Sequence, residues 1–354
     1  MRNANFKLVE VAWKGLIVCE NISCDLNQKP PMPRLLIVKT SSLGDVIHNL
    51  PVIADIHAHM PDLQIDWLVE ESFADIPRLH PGVSTVITVA ARRWRKSLFS
   101  KATWTEIRQC RNTLRANSYD MVLDTQGLLK SAIFARLAQA PIHGQDRPSA
   151  REPLAACFYA HRYPVPRGQH AILRNRQLAA AALHYPLPQT PPDYALAAGL
   201  ADSDQQPFNS ANPYVLGLHG TSRDSKLWPT DHWIALGSYL TEKQTSLILP
   251  WGNVAEYERA QLIAAHVPLA LVLPKLGIKQ LINVFAGAKA AVGVDTGLAH
   301  LAVALRLPTI GIYTDTDSHL TGLYPQAGSY ACNLGGRSQL PSVKDVTEKL
   351  QQFI

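Results

Sequence analysis

Val294-Asp-Thr-Gly-Leu-Ala-His300 puts a carboxylate, a hydroxyl, a glycine and an imidazole between an apolar run at 290–294 and a helix-like segment at 301–305. A strand that turns directly into a helix leaves the first backbone N–H groups without intrahelical partners. The positive end of the helix dipole adds to them, and phosphate binds at such starts. Gly297 lets a ligand approach the backbone closely, while Asp295 and Thr296 offer oxygens either to sugar hydroxyls or to an ordinary N-cap. Near the other end, Arg34-Leu-Leu-Ile-Val-Lys-Thr-Ser-Ser-Leu-Gly-Asp-Val-Ile-His48 reads as a buried strand, a small polar turn and a helix over 45–59. The turn has neither G-x-G-x-x-G nor Walker spacing, so neither a dinucleotide fingerprint nor a kinase-type phosphate loop is present. Asp45 falls in the first helical turn, where the dipole favours its ionised form, and it suits either a cap or a base.

The elements that must position these groups alternate. Strands are expected at 34–39, 65–70, 84–88, 119–124, 213–218, 246–250, 269–273, 290–294 and 308–313. Helices are expected near 45–59, 103–116, 128–138, 169–184, 230–241, 253–265, 277–286, 297–305 and 342–353. Such alternation predicts an α/β protein with parallel sheets covered by helices on both faces. Tyr185-Pro-Leu-Pro-Gln-Thr-Pro-Pro192 interrupts it and reads as a hinge. The expected organisation is a doubtful N-terminal extension at 1–32, one domain at 33–185, a Pro-rich hinge at 186–196, a second domain at 197–340 and a C-terminal helix at 341–354. The extension carries no secretory pattern, since Glu10, Lys14 and Glu20 interrupt its apolar part, and the natural start is expected at Met32.

Bulk properties agree. A chain of 354 residues, 47% of them hydrophobic, can bury two domain cores. The net charge of +6 suggests an anionic partner. It is concentrated: Arg92, Arg93, Arg95, Lys96, Lys101, Arg108, Arg111 and Arg115 face only Glu106 over the same span. A charge run is commonly just a solvated face, and no aromatic stacking platform accompanies it, so nucleic acid is not expected. The 5 cysteines are scattered, which fits a reducing compartment and no zinc site. No apolar run reaches membrane-spanning length, so any membrane association is expected to be peripheral.

Several motifs in a fixed order make the chain, from about Pro33 to its end, resemble the lipopolysaccharide heptosyltransferases, the ADP-heptose glycosyltransferases, and among them the type I enzymes. They are Leu36-Ile-Val-Lys-Thr-Ser-Ser-Leu-Gly-Asp45, Arg92-Arg-Trp-Arg-Lys96, Asp124-Thr-Gln-Gly127, Arg151-Glu-Pro-Leu154, Thr221-Ser-Arg-Asp-Ser-Lys-Leu-Trp-Pro229, Leu249-Pro-Trp-Gly252 and Val294-Asp-Thr-Gly-Leu-Ala-His300. The resemblance implies a GT-B-type fold, two Rossmann-like domains facing across a cleft. It implies inverting transfer of L-glycero-D-manno-heptose from ADP-heptose to the first Kdo of Kdo-lipid A, without metal or other cofactor.

By the same resemblance Asp45 is the catalytic base. Donor-binding positions are Thr221 and Ser222 near the phosphates, Lys226 as a phosphate cation, Glu256 at the ribose, Leu276 at the adenine edge, Asp295 at the heptose hydroxyls, and Thr296, Gly297, Leu298 and His300 around the diphosphate. Arg92, Arg93, Arg95, Lys96, Arg151 and Arg174 take the acceptor. His170 and Arg176 are expected to be framework, and His48, His57 and His59 surface or packing residues. The Thr314-Asp-Thr-Asp-Ser318 loop departs from the family's Gly-Pro-Thr-Asp-Pro pattern. Its Asp315 and Asp317 resemble a metal-binding D-x-D pair, but a surface turn is expected. A monomer is expected, on the cytoplasmic face of the inner membrane. A type II heptosyltransferase, a sugar-nucleotide epimerase of the same architecture and a noncatalytic nucleotide-sugar sensor are the competing readings; activity without a lipid acceptor separates the epimerase.

Overall fold

The computed structural model describes residues 32–196, Phe208 and 211–354. The extension before Met32 therefore lies outside the described residues, as do Cys19 and Cys24. Twelve strands form two six-stranded sheets. The first comprises β1 (Arg34–Val38), β2 (Gln64–Glu70), β3 (Thr85–Val89), β4 (Met121–Asp124), β5 (Ile142–Gln145) and β6 (His161–Tyr163). The second comprises β7 (Tyr214–Leu218), β8 (Ser246–Leu249), β9 (Ala270–Val272), β10 (Ala290–Val294), β11 (Thr309–Tyr313) and β12 (Ala331–Gly335). Their orders are β3-β2-β1-β4-β5-β6 and β12-β11-β10-β7-β8-β9, with parallel pairing throughout. Within each half the connections run the same way: outward from the first strand, then back across it to the fourth. The order reverses between β1 and β4 and again between β7 and β10, and ligands in doubly wound sheets bind beyond the carboxyl ends of strands at such a reversal.

The apolar strands explain themselves by having two covered faces. Leu35 and Ile37 enter the core shared with Val52, Ile53 and Ile56, while Leu36 and Val38 enter the opposite one with Cys110 and Leu114. The first of these cores does not stop at the domain boundary, since Ala299, Leu301 and Val303 of the second half belong to it.

Three strands were not legible in the sequence. β5, β6 and β12 are short and carry little apolar pattern, and β6, His-Arg-Tyr, is an exposed edge. The helix expected over 45–59 is two helices, Leu43–Ile47 and Leu50–His59. Pro51, which lacks an N–H, sits at the second position of the latter and makes a new helix start natural there. Pro229 occupies the N-cap place of the Thr230–Glu242 helix.

The proline-rich segment is tied down at several points. Arg176, 1% exposed, forms a bidentate pair with Asp55 at 2.6 and 3.0 Å and donates to the Thr190 carbonyl. His59 stacks on Tyr185, and the Tyr194 hydroxyl donates to the Tyr324 carbonyl across the halves.

Candidate active site between the two sheets

The turn after β1 is held from below by the end of β4. Gln126 Oε1 accepts from the Thr40 and Ser41 amides at 3.0 and 3.2 Å, Lys39 Nζ donates to the Thr125 carbonyl, and Lys130 Nζ donates to Ser41 Oγ. Gln126 is in turn fixed by Asp124, whose buried carboxylate accepts from the Gln126 and Gly127 amides, Ser131 Oγ and the Tyr159 hydroxyl. Burial pushes the Asp124 pKa up while these donors oppose the shift. Gly127 adopts φ +66°, and a Cβ there would lie 3.2 Å from Gln145 Oε1, so the tight turn suits glycine. Burial lowers the Lys39 pKa.

This scaffold presents Asp45. Its Oδ2 accepts from the Ser42 amide at 2.9 Å and from Ser42 Oγ at 3.2 Å, and lies 3.8 Å from Arg151. All these contacts fall on Oδ2, which leaves Oδ1 as the oxygen to accept a proton. Capping and chemistry are thus compatible in one carboxylate.

The opposite wall comes from the second sheet. The Gly297–Ala304 helix begins at Thr296, whose extended backbone takes the N-cap place but whose side chain makes no capping hydrogen bond. The Thr296 side chain therefore takes up none of the first-turn N–H groups, as at helix starts that receive phosphate. Asp295 Oδ2 instead accepts from Lys226 Nζ at 2.6 Å and Thr316 Oγ1 at 2.8 Å, while Thr221 Oγ1 donates to the Asp295 carbonyl. Thr316 thus ties the atypical 314–318 loop to this wall. Asp315 and Asp317 are exposed; the first accepts from Ser225 Oγ and the second caps the Ser318–Thr321 helix. Among the described residues no group of three or more His, Cys, Asp or Glu is placed to hold a metal ion.

The two walls touch. A Cβ on Gly297 would lie 2.7 Å from the Leu43 Cβ, and one on Gly44 would lie 3.2 Å from His300 Cδ2. His48 Nε2 and His300 Nδ1 are 3.1 Å apart, with His170 edge-on to His48. His170 Nδ1 accepts from the Ile172 amide, so its Nε2–H donates to the Gly322 carbonyl of the second half. His48 is therefore a packing residue, buried in the seam between the halves with its partner on the other half. The signal in the sequence was its place three residues after Asp45, one helical turn on.

Between the walls lies an open cleft of about 740 Å³. Asp45, Thr221, Ser222, Lys226, Asp295, Thr296, Gly297, His300, Arg151 and Arg174 line it together. Lys39, Gln126 and Arg167 line it too and were not foreseen. Lys39, Arg151, Arg167, Arg174 and Lys226 outnumber Asp45 and Asp295 there, which favours anions. Arg174 Nη2 donates to the Ser149 carbonyl at 2.7 Å, and burial lowers its pKa.

Other expected site residues stand elsewhere. Leu298 packs against the core. Glu256 accepts from the Gly252 amide at 2.7 Å and abuts Gly220 at the end of β7, behind Thr221. Leu276 is half-buried, outside the cleft. The basic stretch includes a short helix, Ala91–Trp94, whose Ala91 and Arg92 amides donate to the Glu70 carboxylate. Arg92, Arg93 and Lys96 line a separate hollow of about 460 Å³, and Arg95 is exposed beside it. Arg93 is engaged by Glu71 at 3.0 Å and Glu106 at 2.9 Å, so its charge is partly matched. Arg92 stacks over Phe73, which borders the main cleft and joins the two hollows.

Residues 107–351 match the model for "Glycosyltransferase family 9 (heptosyltransferase)". The chain is 49% identical over 293 residues to lipopolysaccharide heptosyltransferase 1 of Pseudomonas aeruginosa, covering 82% of this chain and 81% of that protein. It superposes on the solved E. coli heptosyltransferase WaaC with ADP at a TM-score of 0.82 and 42% identity, covering 91% of this chain and 100% of that one. With ADP-2-deoxy-2-fluoro heptose bound, the same E. coli enzyme gives a TM-score of 0.78 and 41% identity, covering 90% of this chain and 99% of that one.

Proposed function

The chain belongs to glycosyltransferase family 9 (heptosyltransferase), and from that premise we propose that it moves L-glycero-D-manno-heptose from ADP-heptose to the first Kdo of Kdo-lipid A in lipopolysaccharide inner-core synthesis. The observation that carries this reading is the meeting, in one cleft, of the Asp45 carboxylate on the first half and the Lys226 and Gly297 helix start on the second.

The acceptor hydroxyl oxygen forms a bond to the anomeric carbon as the bond from that carbon to the phosphate oxygen breaks. Attack from the face opposite the diphosphate inverts the anomeric centre. The acceptor proton passes to Asp45 Oδ1, and ADP leaves with the electron pair. Departing charge settles on the helix N–H groups and on Lys226, which loosens its grip on Asp295 as the phosphate arrives. Asp295, relieved of its cation, turns its oxygens to sugar hydroxyls. Arg151, Arg167 and Arg174 hold acceptor carboxylates and phosphates; arginine's fork suits both. Arg92, Arg93, Arg95 and Lys96 meet the acceptor's outlying anions beyond Phe73. The donor's ribose and adenine lie outward along Glu256 and Leu276. The enzyme works as a peripheral protein at the cytoplasmic face of the inner membrane; among the described residues no helix is long and apolar enough to cross one.

Mass spectrometry of Kdo-lipid A incubated with ADP-heptose tests the proposal. A single heptose increment is expected. Modification of only an already heptosylated acceptor would replace the reading with a type II enzyme, and rearranged donor without any acceptor would replace it with an epimerase.

A further inference from the structure

The basic segment of the first half ends in apolar side chains that cover nothing. Phe99 is fully exposed, and Leu98 and Trp104 are 50% and 57% exposed. They are not a floppy tip. Trp104 Nε1 donates to the Leu98 carbonyl at 2.8 Å, which pins the indole of the Lys101–Ala116 helix against the preceding turn. That helix buries Thr103, Cys110 and Leu114, while Lys101 and Arg108 are exposed on it. Glu106, the only acid between 91 and 116, is taken up by Arg93 and the Trp94 indole. Among the described residues Lys101 and Arg108 form no ion pair.

Exposed aromatic and aliphatic side chains set among fixed cations match an anionic bilayer surface. The rings enter the headgroup layer, and the Lys and Arg heads meet lipid phosphates. The position also fits: Ser97, next to Leu98 in the chain, lines the same hollow as Arg92, and Arg92 stacks over Phe73 at the cleft edge. We infer that Leu98, Phe99 and Trp104, with Lys101 and Arg108, seat the first half on the anionic leaflet that carries the acceptor, holding the acceptor's sugar end toward Asp45. The inference rests on the proposed lipid-linked acceptor, but binding to a bilayer needs no turnover.

The test is co-sedimentation of the full chain with vesicles of phosphatidylglycerol and phosphatidylethanolamine, against vesicles of phosphatidylcholine alone. Binding to the anionic vesicles only is expected. F99S/W104S should lower the partition constant by roughly tenfold or more, as loss of two inserted rings implies. K101Q/R108Q should lower it too and flatten its salt dependence. Both variants should turn over a deacylated acceptor in solution at the parent rate and an acceptor embedded in vesicles more slowly. Equal partitioning of parent and variants would overturn the inference. So would self-association without vesicles that F99S/W104S abolishes, since the face would then belong to a second copy. Failure of heptose transfer to either acceptor form would sink the proposed reaction, while partitioning would still decide on the surface.

Discussion

His48 Nε2 and His300 Nδ1 meet at 3.1 Å in the seam between the halves, so the residue that closes the Asp45 helix and the helix that begins at Gly297 share a hydrogen bond between two neutral rings. Burial holds His48 well below its ordinary value and, against the pull of Asp295, holds His300 down to about 4; His170 beside them is lowered as well. Lys39 adds to the depression of His48, and Lys226 to that of His300. The unfolded chain then binds more protons than the folded one below roughly pH 6.5, the ordinary histidine value. The stability contributed by neutral rings is fully present above that pH and is lost as pH falls toward 4. The thermal midpoint should fall over this window. His48→Asn should make the fall shallower, although His80, His143 and His219, each lowered to about 4, keep part of it. An unchanged slope in the variant would remove the seam from the explanation.

Asp45→Asn keeps the size and the ability to cap Ser42 but cannot take a proton. kcat should fall by roughly 10²–10⁴ with an unchanged melting temperature. Near-parental turnover would end the assignment of Asp45 as base.

Gly297→Ala adds a methyl 2.7 Å from the Leu43 Cβ, and the two helices must part to admit it. Overpacking of this kind destabilises by about 1–3 kcal/mol, here charged to contact between the halves, so donor KM should rise by roughly tenfold. Leu43→Gly in the same chain, which removes the Cβ that the new methyl meets, should restore much of the loss. If it restores nothing, Gly297 matters for backbone approach of the diphosphate and not for the contact.

Transfer should proceed fully in excess EDTA, because the helix start and Lys226 supply the positive potential at the leaving group. Loss of activity restored by magnesium or manganese would turn attention back to Asp315 and Asp317.

Replacing Arg92, Arg93 and Arg95 together by Gln should raise acceptor KM several-fold and flatten its salt dependence, with little change in donor KM. A rise confined to the donor KM would show that the stretch serves the nucleotide.

The sequence announced the parts of the site that follow strong local signals. Strand-to-helix turns at Asp45 and Asp295 are visible because apolar runs end abruptly in Gly and small polar residues. The parallel sheets are visible because strands buried on both faces, such as β1 and β10, are uninterrupted apolar runs. What stayed hidden depends on partners far along the chain. Gln126 is an ordinary polar residue until its amide is seen to accept from Thr40 and Ser41, and Lys39 until it is seen to donate to Thr125. His48 lies 252 positions from His300, and no local pattern marks such a pair. β6 and β12 were missed because edge strands need little apolar character.

The shared strand order of the two sheets has a consequence for catalysis. Under the proposed reaction each half would supply one part of the site, each beside the reversal in its own strand order. In the proposed reaction the leaving group would meet the second half, and the acceptor hydroxyl would meet Asp45 of the first. With the proton acceptor on one sheet and the leaving-group site on the other, the proposed reaction would depend on the contact between the halves and not on either half alone.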